Sequence, residues 1–263
     1  MLYVYLILMG ITGIWMGRSN IGGAFILVVC FLNWSFYKLS SCRSWESSMS
    51  DLGLFDVMYS TRAMRRLKSD PVAPDLLLQV LEAGTQAASG QNTQPWSFIV
   101  VSDEKDKSFL ATHYRDVMNK QFSDYRPKIE DQSKGARSMR AAWYLSDNLH
   151  NVPVLLLVCG VRDWPFSVPK KERIGKAPPS YGSVYPCIQN ILLACRALGL
   201  GATLTTLHQV FESELQEYFA IPNEYGVVAM IPIGYPKGSF GPVHRKPAQS
   251  VSYLNRWGNN FPS

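Results

Sequence analysis

Apolar and polar positions along this chain change pattern from stretch to stretch, and the changes mark its elements. Residues 52–59 carry helical apolar spacing. After a basic turn at 60–67, Pro71-Val72-Ala73-Pro74-Asp75 breaks the chain and opens a second helix, whose Leu76, Leu77, Val80, Leu81, Gly84 and Ala87 share an apolar face. Residues 97–102 read as a strand. Residues 103–151 are polar, charged and mostly helix-compatible, with Tyr114, Phe122, Tyr125, Trp143 and Tyr144 spread among them. The continuous apolar run 152–161 predicts a strand buried on both faces, and the Lys- and Pro-rich stretch 162–180 a mobile loop. Residues 181–200 predict a long buried helix stopped at Gly199 and Gly201. Further strands are expected at 202–206 and 225–234. With no internal repeat and no regular βαβ alternation, the order predicts an α+β layered domain.

The first 48 residues depart from this pattern. Residues 1–17 and 21–37 are almost wholly apolar, each about the shortest length that spans a bilayer as a helix. No positive segment precedes the first run and no small-residue cleavage site follows the second, so a secretory signal fits poorly. Lys38 and Arg43 would leave the remainder on the cytoplasmic side. Three readings stand: a membrane anchor, a targeting segment, or a start of translation at Met49. The expected organisation is an N-terminal extension at 1–48, contacting a membrane through 1–37, and a globular domain at 49–263.

One loop carries candidate chemistry. Ser89-Gly90-Gln91-Asn92-Thr93-Gln94-Pro95-Trp96 sets small, amide-bearing and rigid residues between a helix and a strand. Gly90 permits positive φ or close backbone approach, Pro95 fixes direction, and the Asn92 and Gln94 amides can read the edge of a heteroaromatic ring. An ordinary connection draws on the same residue types, so the loop needs partners elsewhere.

Charge and composition narrow the field. A chain of 263 residues, 47% hydrophobic and 17% charged, can bury a large core. The net charge of +6 favours anionic ligands or an acidic membrane surface but is too modest and too scattered for nucleic acid. Cys30, Cys42, Cys159, Cys187 and Cys195 form no metal-ligand or disulfide pattern, which fits a reducing, cytoplasmic setting. His113, His150, His208 and His244 cluster with no nucleophile, so hydrolysis has no support. A GxGxxG fingerprint is absent, so a dinucleotide would visit the site rather than reside in a Rossmann fold.

Taken together, the basic turn at 62–66, the 89–96 loop, the helix running into Gly199-Leu200-Gly201-Ala202-Thr203, and Ile233-Gly234-Tyr235-Pro236 with Arg245-Lys246-Pro247 resemble the FMN-dependent nitroreductase superfamily. The resemblance covers residue 50 to the C-terminus. It implies an entwined homodimer of three α/β/α layers around a mainly antiparallel sheet, with FMN at each end of the subunit interface. By the same resemblance, Arg62, Arg66 and Arg245 match phosphate-binding positions, with Arg65 a helper. Guanidinium forks suit that group. Ala63 stands where a serine often donates to the phosphate. Ser89, Gly90 and Asn92 match positions along the flavin ring, Asn92 at its pyrimidine edge, while Gln94, Pro95 and Trp96 buttress the loop. Leu204, Thr205 and Thr206 match the segment approaching the ring's reactive N5 side, where a backbone N–H or hydroxyl can steady charge.

The resemblance further implies that NAD(P)H and a small electron-poor acceptor, a nitroaromatic or quinone, react in turn at one flavin. No side-chain acid or base is demanded. A non-catalytic flavin carrier is the rival from another class, and a reductive dehalogenase or flavin-destroying oxygenase the rivals within the superfamily. Tyr114, Tyr125, Arg126 and Trp143 are candidates for the acceptor pocket.

Overall fold

The computed structural model describes residues 52–262. Both apolar runs at 1–37, the anchor, targeting and alternative-start readings, and Cys30 and Cys42 lie outside the described residues. In chain order the helices are α1 (Leu54–Ser60), α2 (Pro74–Thr85), α3 (Glu104–Phe122), α4 (Lys134–Asn148), α5 (Tyr181–Ala197) and α6 (Glu212–Tyr218). The strands are β1 (Trp96–Val101), β2 (Val154–Val161), β3 (Gly201–Ala202) and β4 (Tyr225–Gly234).

The strands form one antiparallel sheet in the order β1-β2-β4-β3. Because side chains alternate across a strand, the apolar run of β2 feeds two cores. Leu155, Leu157 and Cys159 pack with Leu110, Tyr114 and Trp143 of α3 and α4, while Val154, Leu156 and Val158 pack with Val80 of α2 and Ile188 and Ile191 of α5. The result is the mixed helix and antiparallel-sheet architecture expected, with helices on both faces. Between Val158 and Cys159 the pairing with β4 shifts by one residue, so Val228 and Ala229 both join the α2/α5 core.

Two local features set the course of α5 and of the chain beyond it. A Cβ on Gly84 would lie 2.8 Å from Ile191 Cγ1, so the glycine lets α2 sit hard against α5. Helix α5 ends in a Schellman motif: Gly199 takes φ +74°, and Leu200 N–H donates to the carbonyl of Cys195 at 2.7 Å.

Segment 202–206 differs from the strand expected there. Only Gly201 and Ala202 join the ladder, and contact with β4 resumes at the single bridge Thr205–Met230. Thr203 and Leu204 leave the sheet between them. No helix among the described residues is long and apolar enough to cross a membrane.

Candidate functional site

The basic segment is extended rather than helical. Met64 and Leu67 point inward, Met64 N–H donates to the carbonyl of Ala202 at 2.9 Å, and Lys237 N–H donates to that of Arg66 at the same distance. The intervening arginines therefore diverge. Arg62 and Arg65, with Ala63, line a cavity of about 550 Å³, whereas Arg66 turns away, its guanidinium 4.8 Å from the centre of the Tyr144 ring.

Arg245 and Arg196 complete the basic lining of this cavity. Arg196 escaped sequence reasoning because a basic residue in the last turn of a helix is accounted for by the helix dipole alone. Its Nε donates to Ser60 Oγ at 2.8 Å, and its guanidinium lies 4.2 Å from the centre of the Phe240 ring. Among the described residues the ion pairs are Arg126–Asp147 and Arg162–Glu212, so none of these four guanidinium groups has a carboxylate partner. Four unpaired positive charges around one concave space call for a multiply charged anion. Thr61 also lines the cavity, but its hydroxyl donates to the carbonyl of Val57 at 2.7 Å. Ala63 offers no hydroxyl.

A second cavity of about 170 Å³ shares Arg65, Thr203 and Leu204 with the first. Its walls come from α3, α4 and the 203–207 segment. Thr205 presents only its hydroxyl there, because its N–H and carbonyl are both engaged with Met230 at 3.0 Å. That hydroxyl meets the Tyr114 hydroxyl at 3.2 Å. Thr206 lies outside both cavities, and Thr203, 2% exposed, lies in both. Of the proposed acceptor-pocket residues, Tyr114 lines the second cavity. Trp143 is buried beside it in the core with Arg126 stacked on its ring at 4.7 Å, and Tyr125 is exposed.

The 89–96 loop stands apart. Gly90 N–H donates to Ser183 Oγ at 3.4 Å, near the start of α5, and from Ser183 to Arg196 that helix rises roughly 20 Å. Ser89, Gly90 and Asn92 line neither cavity. Positive φ falls on Gln91, Asn92 and Gln94 rather than on Gly90, and a Cβ on Gly90 would meet nothing within 4 Å. Internal bonds hold the loop: Gln94 N–H donates to Ser89 Oγ at 2.8 Å and Gln94 Nε2 to Asn92 Oδ1 at 3.0 Å. The Asn92 amide engages its oxygen in this bond. Trp96 is half-buried and packs on the α2/α5 core.

His208 is fully buried with Nε2 2.8 Å from the carbonyl oxygen of Val227, and burial pushes its pKa down. A neutral imidazole spent on a backbone carbonyl is part of the scaffold.

This arrangement, a two-faced antiparallel sheet carrying an arginine-lined cavity at one end of its central helix, is that of a nitroreductase fold. A family model described as the Nitroreductase family matches residues 58–235, and the chain belongs to that family. It is similar to an iodotyrosine deiodinase of Thermotoga neapolitana, 26% identical over 183 residues covering 70% of this chain and 88% of that protein. It is also similar to an NADH dehydrogenase of Thermus thermophilus, 27% identical over 225 residues covering 78% and 98% respectively. A solved nitroreductase with bound FMN from Desulfitobacterium hafniense shares the fold, with a TM-score of 0.55 at 19% identity over 77% of this chain and 98% of that one.

Proposed function

We propose that this chain is an FMN-dependent oxidoreductase that passes electrons from NAD(P)H to a small electron-poor acceptor. The observation that carries the reading is the cavity lined by Arg62, Arg65, Arg196 and Arg245 with no carboxylate partner for any of them. A phosphate of about two negative charges fits that donor set, and the cavity volume lies within the range of small-molecule sites. When bound, FMN supplies two-electron chemistry that no side chain here can perform.

The chain's own residues would then anchor, orient and exclude water. Arginines hold the phosphate end. Leu204 and the Thr205 hydroxyl bound the path from the first cavity into the second, where fixed dipoles can steady charge. Asn92 would read the ring edge from the 89–96 loop.

In one chain that loop lies some 20 Å along α5 from Arg196, at the other end of the helix from the phosphate anchor. The reading therefore requires a second copy, with the loop of one subunit facing the arginines of the other. The apolar face that α5 leaves uncovered supports this homodimer: Tyr181 and Tyr185 stack on each other 5.6 Å apart and are each 39% exposed. We assign this flavoprotein body to residues 49–263, with 1–48 a separate extension.

The test is direct. Purified protein should carry FMN in a ratio of one per chain, sediment as a dimer, and bleach when mixed anaerobically with NADPH. Substituting Arg62, Arg65, Arg196 and Arg245 by alanine together should abolish FMN retention. Protein that binds no FMN, or whose arginine variant keeps it, would refute the assignment. Tight FMN without rapid bleaching by NADPH or NADH would identify the carrier instead.

A further inference from the structure

The loop between β2 and α5 is closed at its base and bare beyond it. Asp163 N–H donates to the carbonyl of Pro178 at 3.0 Å and Ser180 N–H to that of Val161 at 2.9 Å, so the two ends of segment 163–178 meet beside the end of β2. Between them Phe166 is 99% exposed and Ile174 83%, and Phe166 is the barest large apolar side chain among the described residues.

Single apolar residues scattered over a surface are ordinary. These two share one closed loop with Lys170, Lys171, Arg173 and Lys176, all exposed and none paired with a carboxylate among the described residues. Arg173 Nε donates to the carbonyl of Val168 and Lys176 Nζ to Gln216 Oε1, uncharged partners that leave both positive charges unneutralised. Glu172 is the one acid between Phe166 and Lys176.

Apolar side chains standing among free cations match the boundary of an anionic lipid surface, where hydrocarbon passes below the headgroups and the cations stay among them. A second copy of this chain would instead bring its own +6 against the same cations. The apolar runs at 1–17 and 21–37 of the sequence, each of a length that suits a bilayer, point independently to lipid. We propose that the 163–178 loop is a peripheral membrane-docking surface, in which Phe166 and Ile174 enter the lipid boundary and Lys170, Lys171, Arg173 and Lys176 hold anionic headgroups. Because the base is already pinned, docking orders only the outer part of the loop. The proposal does not depend on the flavoprotein reading.

Amide hydrogen exchange, read by mass spectrometry on the full-length protein as isolated, tests it. Vesicles of phosphatidylcholine with phosphatidylserine should slow exchange across 163–178 about fivefold. Phosphatidylcholine alone should leave it unchanged, and about 0.5 M salt should reverse the slowing. Phe166→Ser with Ile174→Ser, and separately Lys170→Glu with Lys171→Glu, should each abolish the slowing and keep FMN content as in the wild type, since none of the four lines the arginine cavity. Residues 1–37 are identical in every protein compared, so capture through them does not distinguish the variants. Equal slowing by both vesicle types, none by either, or slowing that survives either pair of substitutions would overturn the proposal. Slow exchange in the loop that grows with protein concentration before lipid is added would give the surface to a second copy, and polyglutamate as effective as vesicles would give it to an acidic protein. Either result also overturns the membrane assignment.

Discussion

Arg196 Nε donates to Ser60 Oγ at 2.8 Å, tying the last turn of α5 to the end of α1 just before the chain enters the basic segment. The same guanidinium packs on Phe240, so three separate parts of the chain meet at one side chain on the cavity wall. A lysine would keep the charge but could neither donate from Nε nor lie flat on the ring in the same way. Arg196→Lys should therefore weaken FMN about tenfold, measured by flavin fluorescence titration. An unchanged affinity would reduce Arg196 to a bystander.

Ala63 lines the same cavity with a side chain that has no hydrogen-bonding group. Ala63→Ser places a hydroxyl among the arginines and should tighten FMN by on the order of 1 kcal/mol, about fivefold. The same titration checks it, and a loss of affinity would show that residue 63 does not face the anion.

Arg162 fastens the 162–180 loop to the body. Its Nη2 pairs with Glu212 Oε1 at 2.7 Å, its Nε donates to the carbonyl of Tyr225 at 2.9 Å, and its Nη1 to that of Ala177 at 3.0 Å. The side chains are only 11% and 26% exposed, so removing one partner leaves a poorly solvated charge. Arg162→Met should cost about 3–5 kcal/mol, read by urea denaturation, and the double variant with Glu212→Gln should recover part of it. Glu212 also accepts from Val227 N–H at 3.0 Å, so recovery should be incomplete.

Burial pushes the thiols of Cys159, Cys187 and Cys195 up to about 12. A raised folded pKa contributes stability that is fully present below the unfolded value and lost as pH climbs from there through the folded value. Stability should fall between about pH 8.5 and 12, by up to about 1.4 kcal/mol per pH unit for each thiol. Denaturation across that range, repeated with the three cysteines replaced by alanine, should give a flatter curve for the variant. In the native protein at pH 8 these three thiols should resist alkylation, as peptide mapping would reveal.

The sequence exposed the fold well where periodicity carried it. The unbroken apolar run around Leu155 and Leu156 announced a strand with a core on each side, and Gly199 marked the end of α5. Periodicity was silent where the chain follows neither period. Ala202 to Thr206 looked like a strand, yet Thr203 and Leu204 leave the ladder to wall the cavities. Adjacency in sequence was equally mute about Arg65 and Arg66, since an extended backbone sends successive side chains to opposite sides. Nor could composition reveal that Asn92 and Arg62 lie at opposite ends of α5 within a single chain.

The positive φ angles at Gln91, Asn92 and Gln94 bear on how that loop recognises anything at all. Each such residue stores about 1 kcal/mol of backbone strain or more, and the Ser89 and Gln94 hydrogen bonds hold it in place. A loop set in this way is a template rather than a flap. On the proposed flavin reading, a molecule arriving at this loop would meet amides whose directions are already fixed, so little ordering entropy would be lost on binding.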